Sequence, residues 1–397
     1  MKLVIAGKNS IAVDVLKHVI EQIDIQVFVI LNSTENFVNG FQESLGFYAK
    51  LWGIPIIELA DVYPMDNTIF LSLEFDKIIK PKLFKSRQLF NIHFSKLPEY
   101  KGMYTSALPI LNGESETGVT LHYIDEGIDT GDIIYQETFK LDKNETARSL
   151  YFKYIQKGTE LVINSLQDII NNNYCSYRQT MCKSTYFGKD SINYSNLKFN
   201  LKQTAYQIDR QLRAFTFREY QLPLINDHEI GKWKILEKKS TRKPGDISFL
   251  DDSTMLLSTI DYEMELYLDQ YPLLWNYCIN NNLPLLKQIY QKENFDLELK
   301  TKEGWTALIL AVYNNAYDCV KFLIENGADV NAFNYNKTTV LMYAKSSAIK
   351  SRDFSTIKLL INAGANIKAK DVYNKTVLNW AKEEDIEIYN LLRKAND

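Results

Sequence analysis

Asn91-Ile92-His93-Phe94-Ser95-Lys96-Leu97-Pro98-Glu99-Tyr100-Lys101-Gly102 follows the apolar pair Leu89-Phe90 and decides how the first half of the chain is read. The apolar run ends where Pro98 and Gly102 interrupt it, the pattern of a buried strand breaking into a loop. Side chains alternate along a strand, so Asn91, His93 and Ser95 share one face while Ile92 and Phe94 turn into packing. An amide and an imidazole therefore stand side by side at a strand end. The first can donate to a developing oxyanion, and the second can exchange a proton near neutral pH.

The surroundings fit that strand into a larger pattern. Residues 2–6 are a short β-run, followed by the turn Gly7-Lys8-Asn9-Ser10, with Ser10 expected to cap a helix over 11–22. Strands are expected over 25–31, 68–73 and 88–94, and a helix over 41–52 that Gly53 and Pro55 end. Alternating strands and helices imply βαβ units and a mostly parallel sheet, Rossmann-like in order. Ligands of such sheets gather at the carboxyl ends of the strands, where His93 and Asp129 fall. The opening turn lacks GxGxxG, which argues against a dinucleotide. Residues 145–171 place Leu150, Tyr154, Leu161, Val162, Leu166 and Ile169 at helical spacing, a long amphipathic helix with Asn144 as its cap. From 174 to 266 short β-like pieces alternate with turns, and a helix is expected over 202–214.

The last third is periodic. Gly304-Trp305-Thr306-Ala307-Leu308-Ile309-Leu310-Ala311 returns after 33 residues as 337–344 and after 37 more as 374–381. Asn326-Gly327-Ala328-Asp329-Val330-Asn331 returns after 37 as 363–368. Both motifs drift by the same four residues, expected to lie in a loop around 346–353. The repeats resemble ankyrin repeats, preceded by a degenerate cap over 271–299. The chain thus reads as 1–180, an α/β catalytic domain; 181–266, a small β-rich, barrel-like region; and 267–397, an α-helical ankyrin array.

At 397 residues and 46% apolar content, each region can bury a core. No apolar run approaches the roughly 20 residues that span a bilayer, and Asp14 with no small-residue cleavage site argues against a signal peptide. Cys175, Cys182, Cys278 and Cys319 show no paired spacing, so reduced thiols and a cytoplasmic setting are expected. Only four His occur, none in a ligand-spaced cluster, so no metal is expected. A net charge of −3 argues against nucleic acid as a partner.

Asn91 and His93, Leu97 to Gly102, Thr117-Gly118-Val119-Thr120-Leu121-His122 and Asp129-Thr130-Gly131 together resemble the folate-dependent formyltransferases. That family carries Asn-x-His, Leu-Pro-x-(Tyr/Phe)-(Lys/Arg)-Gly, Thr-Gly-x-Thr-x-His and Asp-x-Gly in this order. The resemblance implies a one-carbon transfer from 10-formyltetrahydrofolate to an amine, with Asn91, His93 and Asp129 catalytic. Asn91 and His93 would stabilise the oxyanion, and Asp129 would orient the imidazole and help drain the proton. Taken singly, a core histidine and a turn aspartate explain His93 and Asp129 better; taken jointly and in order with the flanking motifs, they do not. For His122, structural support and a site role stay open. The pterin is expected near Leu73, Phe75 and Ile78 and the acidic loop with Asp125 and Gly127, by the same resemblance.

Three branches of the family differ in the amine. A tRNA acceptor needs a basic C-terminal domain, but residues 181–266 hold thirteen Lys/Arg against twelve Asp/Glu, a net of +1. The purine branch is a compact single domain. The remaining branch formylates dTDP-linked 3- or 4-amino-dideoxyhexoses for surface polysaccharide such as O-antigen or S-layer glycan, and some members carry an ankyrin extension. Its pyrophosphate and base ask for cations and an aromatic face; Lys183, Tyr186, Arg213 and Tyr220 are the candidates, Tyr220 for stacking on thymine. Trp305 marks a possible second ligand site on the repeats, for a nucleotide sugar or a protein. A homodimer is implied by the family. The rival reading is a formyltransferase-like scaffold that works through its ankyrin repeats.

Overall fold

The computed structural model describes residues 1–180 and 182–396. Positions 181 and 397, the expected start of the second region and end of the third, lie outside the described residues. Two compact units are present: Met1–Val38 with Gln42–Leu268, and Asn39–Phe41 with Asp269–Asp397.

In the first unit the strands are β1 (Lys2–Gly7), β2 (Gln26–Leu31), β3 (Thr68–Leu73), β4 (Gln88–His93), β5 (Lys101–Gly102), β6 (Glu116–Tyr123) and β7 (Ile133–Lys140). All except β5 form one sheet in the order β2-β1-β3-β4-β6-β7. The pairs from β2 to β4 are parallel, whereas β4–β6 and β6–β7 are antiparallel. The chain reverses at that edge because the link between β6 and β7 is too short for a crossover helix. The β4–β6 register sets Asn91 opposite His122 and His93 opposite Thr120.

The helices Asn9–Gln22 and Ala147–Ile170 cover one face of the sheet, burying Ile11, Leu16, Val19, Leu150, Tyr154 and Val162 against Leu3, Ile5, Leu71 and Ile92. The opposite face buries Val4, Ala6, Ile30, Phe70, Phe84 and Leu89. Two expected caps are different. Thr146, not Asn144, caps the long helix and accepts from the Ser149 N–H. Ser10 lies inside the first helix, and its hydroxyl accepts from the Glu43 N–H instead of capping. The helix expected over 41–52 is confined to Leu45–Leu51, because Ser44 caps it at the Phe47 N–H.

β8 (Tyr186–Phe187) pairs with β5. β9 (Leu224–Ile225), β10 (His228–Lys239), β11 (Ile247–Phe249), β12 (Thr254–Ser258) and β13 (Tyr262–Leu268) form a curled antiparallel sheet in the order β11-β12-β13-β10-β9. The helix Ala205–Ala214 packs Ala205, Ile208 and Leu212 onto it.

The second unit is helical. Thr306, Thr339 and Thr376, the threonines of the recurring motif, each cap a helix by accepting from the N–H three residues on. Such caps contribute about 1 kcal/mol apiece. The four extra residues do not form a loop: the helix Val340–Ser351 runs for 12 residues, against 7 in Ala307–Tyr313. Residues 345–351 hold no Gly or Pro to stop it, and it ends only where Arg352 turns left-handed. Among the described residues, no helix is long and apolar enough to cross a membrane.

Candidate active site

β3 and β4 end side by side, Leu73 beside Ile92, and a cavity of about 620 Å³ opens at their carboxyl ends. Asn91, His93, His122 and Asp129 all line it, although Asp129 stands 36 positions beyond His93 in the chain. β4 supplies Asn91 and His93, β6 supplies His122, and the loop before β7 supplies Asp129.

That loop is locally constrained. Asp129 adopts a left-handed backbone (φ 55°), and Gln179 Nε2 donates to the carbonyls of Asp129 and Gly131 at 2.8 Å. A Cβ at Gly131 would meet the Tyr123 carbonyl oxygen at 1.9 Å, which explains that glycine. The carboxylate then meets four partners. Oδ2 accepts from the Gly102 N–H at 2.8 Å and faces His93 Nδ1 at 3.4 Å. Oδ1 lies 3.4 Å from Asn91 Nδ2 and 3.6 Å from His122 Nε2.

Two carbonyls orient the imidazoles. His93 Nε2 donates to the Tyr100 carbonyl at 2.8 Å, since a carbonyl only accepts, and this leaves Nδ1 turned to Asp129. By the same logic His122 Nδ1 donates to the Tyr123 carbonyl at 2.7 Å, and its Nε2 accepts from Asn91 Nδ2 at 3.1 Å. Burial works against charge on Asp129, but His93, His122 and the Gly102 N–H outweigh it and hold its carboxyl well below the ordinary range. The result is a carboxylate at neutral pH beside an imidazole and an amide, the elements needed to stabilise an oxyanion and move a proton.

The carboxylate residue Glu74 also lines this cavity and was not anticipated from the sequence. Glu74 follows β3 directly with a left-handed backbone (φ 57°), and Asn32 Nδ2 donates to its carbonyl at 2.9 Å. Its carboxylate accepts from Asn9 Nδ2 at 2.9 Å and from the Tyr151 hydroxyl at 3.0 Å. Burial raises its carboxyl above the ordinary value, against the lowering effect of Asn9, Lys8 and Tyr151. A charged residue immediately beyond a strand's carboxyl end was the available signal. Met103, Thr105 and Lys189 are further lining residues that sequence reasoning missed.

Of the residues expected near the pterin, Phe75, Ile78, Asp125 and Gly127 line the cavity. Leu73 does not: it is fully buried on the helix-covered face with Ile69 and Leu71, as strand alternation requires. Of the four residues expected at the nucleotide sugar, Tyr186 lines the cavity. Arg213 is turned elsewhere, paired with Asp209 at 2.8 Å and donating to the Glu145 carbonyl at 3.0 Å, beside a separate cavity of about 1220 Å³. Lys183 is not a lining residue of the 620 Å³ cavity, and its charge acts on Glu116. Tyr220 packs on Phe217 at 4.7 Å outside the lining, yet its phenol is electrostatically coupled to Glu74. In the second unit, Trp305 is half-buried against Tyr313 and Tyr343, at 4.9 and 5.0 Å between rings. Among the described residues, no cluster of three His, Cys, Asp or Glu is placed to hold a metal ion.

Residues 61–166 match the formyl transferase family, and residues 274–371 match ankyrin repeats in three copies. Two solved structures are similar at 43% identity. One is WlaRD, a sugar 3N-formyl transferase in the presence of dTDP and 5-N-formyl-THF; it aligns over 68% of this chain and 97% of its own, with a TM-score of 0.63. The other is an N-formyltransferase from Helicobacter canadensis in complex with folinic acid and dTDP-3-aminofucose, over 68% and 100%, with a TM-score of 0.64. The methionyl-tRNA formyltransferase of Clostridioides difficile is 27% identical over 66% of this chain and 89% of its own length. That of Fervidobacterium nodosum is 28% identical over 56% and 75%.

Proposed function

Because the chain belongs to the formyl transferase family and is a formyltransferase, we propose that it moves the formyl group of 10-formyltetrahydrofolate onto the amine of a dTDP-linked 3- or 4-amino-dideoxyhexose. The observation that carries this reading is the convergence of Asn91, His93 and Asp129 on one 620 Å³ cavity. The volume suits a small-molecule pair better than a macromolecular acceptor. Phe75, Ile78, Ile124 and Ile128 give one wall an apolar surface that fits a flat pterin. The 43% identity to two sugar formyltransferases, against 27 and 28% to the tRNA enzymes, favours the sugar acceptor, as does the near-neutral charge of residues 181–266. Delivery of the product to surface polysaccharide rests on family likeness.

The donor supplies a formyl group activated on nitrogen. By family likeness Asn91 Nδ2 and His93 are assigned to the formyl oxygen, each exchanging a partner it holds here, while the amine adds to the carbon and that oxygen gains charge. Asp129 fixes the His93 ring and stabilises it when it carries a proton. The amine gives up one proton and the departing folate nitrogen gains one, so His93 with Asp129 has only to relay it. Incubation with the folate donor and a panel of dTDP- and UDP-linked amino sugars, with N-formyl product read by mass spectrometry, tests the proposal. No product from any of them would remove it.

The ankyrin unit is read as a binding platform. The Trp305, Tyr313 and Tyr343 rings, with Lys350 Nζ 4.7 Å above Tyr313, offer a half-buried aromatic face for a planar base or a protein side chain. Titration of the full chain and of Trp305→Ala with the nucleotide sugar distinguishes them: a second binding event lost in the variant supports the base.

A further inference from the structure

The transfer chemistry leaves Glu74 without a role. Glu74 lines the cavity, and its carboxylate accepts only from the neutral groups Asn9 and Tyr151 and makes no ion pair among the described residues. Lys8 influences it without forming a salt bridge. A carboxylate enclosed with no cation at contact distance costs free energy that only a positive partner fully offsets. The backbone adds to that cost, because φ of 57° is a sparsely occupied region for glutamate. Two strained features coincide on one side chain that a fold needing only a brace between the first and the long helix could supply with a neutral amide.

The neighbourhood is consistent with a place for the acceptor. Phe94, Met103 and Thr105 line the cavity with Glu74. Tyr151 ties the group to the long helix, where it packs on Phe217 at 5.6 Å, and Tyr220 follows at 4.7 Å from Phe217. The sheet, the long helix and the segment after it therefore meet at this carboxylate.

We propose that Glu74 admits the acceptor sugar in its cationic form: its carboxylate pairs with the protonated amine and thereby selects an amine over a hydroxyl at the reacting carbon. The inference rests on the amino-sugar reading above. Glu74 acts at binding and forms no covalent bond; the ammonium then releases one proton to solvent, which frees its lone pair, and the neutral amine gives up the second during transfer. Asn9 and Tyr151 hold the carboxylate in place, so an uncharged substituent that cannot satisfy it is rejected.

Isothermal titration of the full chain without folate, using a dTDP-linked 3-amino-3,6-dideoxyhexose and its 3-hydroxy counterpart, tests this. The wild type is expected to prefer the amine by about tenfold or more, the discrimination of a charge-assisted hydrogen bond. Glu74→Gln keeps the shape and is expected to bind both sugars alike. A wild type that binds the hydroxyl sugar as tightly as the amine overturns the inference, whatever the folding of the variant. Retention of the preference in Glu74→Gln overturns it too. Failure of the proposed reaction reads differently: the wild type would then yield no N-formyl product, whichever sugar it bound.

Discussion

Asp129 and Glu74, two of the carboxylates that line the cavity, have opposite surroundings. Asp129 is met by an imidazole, a second imidazole, an amide and a backbone N–H, and its carboxyl is held well below the ordinary range. Glu74 is met by an amide and a phenol, and burial pushes its carboxyl up. The first is a finished arrangement that needs nothing from a ligand to remain charged. The second is unfinished, and its missing partner is a cation. Divergent environments suit like groups to different tasks: in the function proposed above, Asp129 takes part in the reaction and Glu74 in the choice of what reacts.

The largest effect is expected where the comparison is sharpest. His93→Asn removes the group that faces Asp129, and kcat for formyl transfer should fall by about 10²–10⁴. Steady-state kinetics measure it, and an unchanged kcat would take His93 out of the mechanism. Asn91→Ala deletes one oxyanion donor and should lower kcat by about 10²–10³ with little change in KM for the folate donor. A rise in KM alone would make Asn91 a binding residue.

The first carboxylate was legible in the sequence and the second was not, for physical reasons. Asp129 sits in a Gly-punctuated acidic loop, Asp125 to Gly131, and a turn of that kind needs special residues that leave a visible pattern. Asn91 and His93 stand on alternate positions of a strand, so the period of two is enough to put them on one face of the sheet. Glu74 carries no such mark. Its role follows from a left-handed turn after β3 and from Asn9 and Tyr151, which lie 65 and 77 positions away. Long-range pairing of that kind has no period. Cations near aromatics look like a phosphate site in a sequence, but Lys183 is not a lining residue of this cavity and Arg213 is paired with Asp209 and donates to the Glu145 carbonyl. In the ankyrin unit the repeats were readable because their motifs recur, while the extra four residues lengthen a helix that nothing in 345–351 stops.

Stability against pH separates the two groups in sign. Asp129 has a depressed folded value, so its contribution is present above the unfolded carboxylate value of about 3.9 and fades only as pH falls through the folded one. Asp129→Asn should therefore lower Tm at pH 7. Glu74 has a raised folded value, so its contribution is full below the unfolded value of about 4.3 and is lost as pH rises through the folded one. With Lys8, Asn9, Tyr151 and Tyr220 around it, Glu74→Gln should match the wild type at pH 4 and gain a few degrees of Tm by pH 8. Differential scanning calorimetry across that range reads the gap. A gap that narrows with rising pH would mean that the carboxylate is compensated. The smallest effect is expected at the rim: Tyr186→Ala, at an exposed lining residue, should raise KM for the sugar by only a few-fold.

The single-turnover rate of formyl transfer by Asp129→Asn, with the folate donor and nucleotide-linked amino sugar both saturating, tests most directly whether this carboxylate works with Asn91 and His93 as one unit. The arrangement predicts a fall of about a thousandfold or more, with both ligands still bound. A rate equal to the wild type would show that the carboxylate beside His93 takes no part in the reaction.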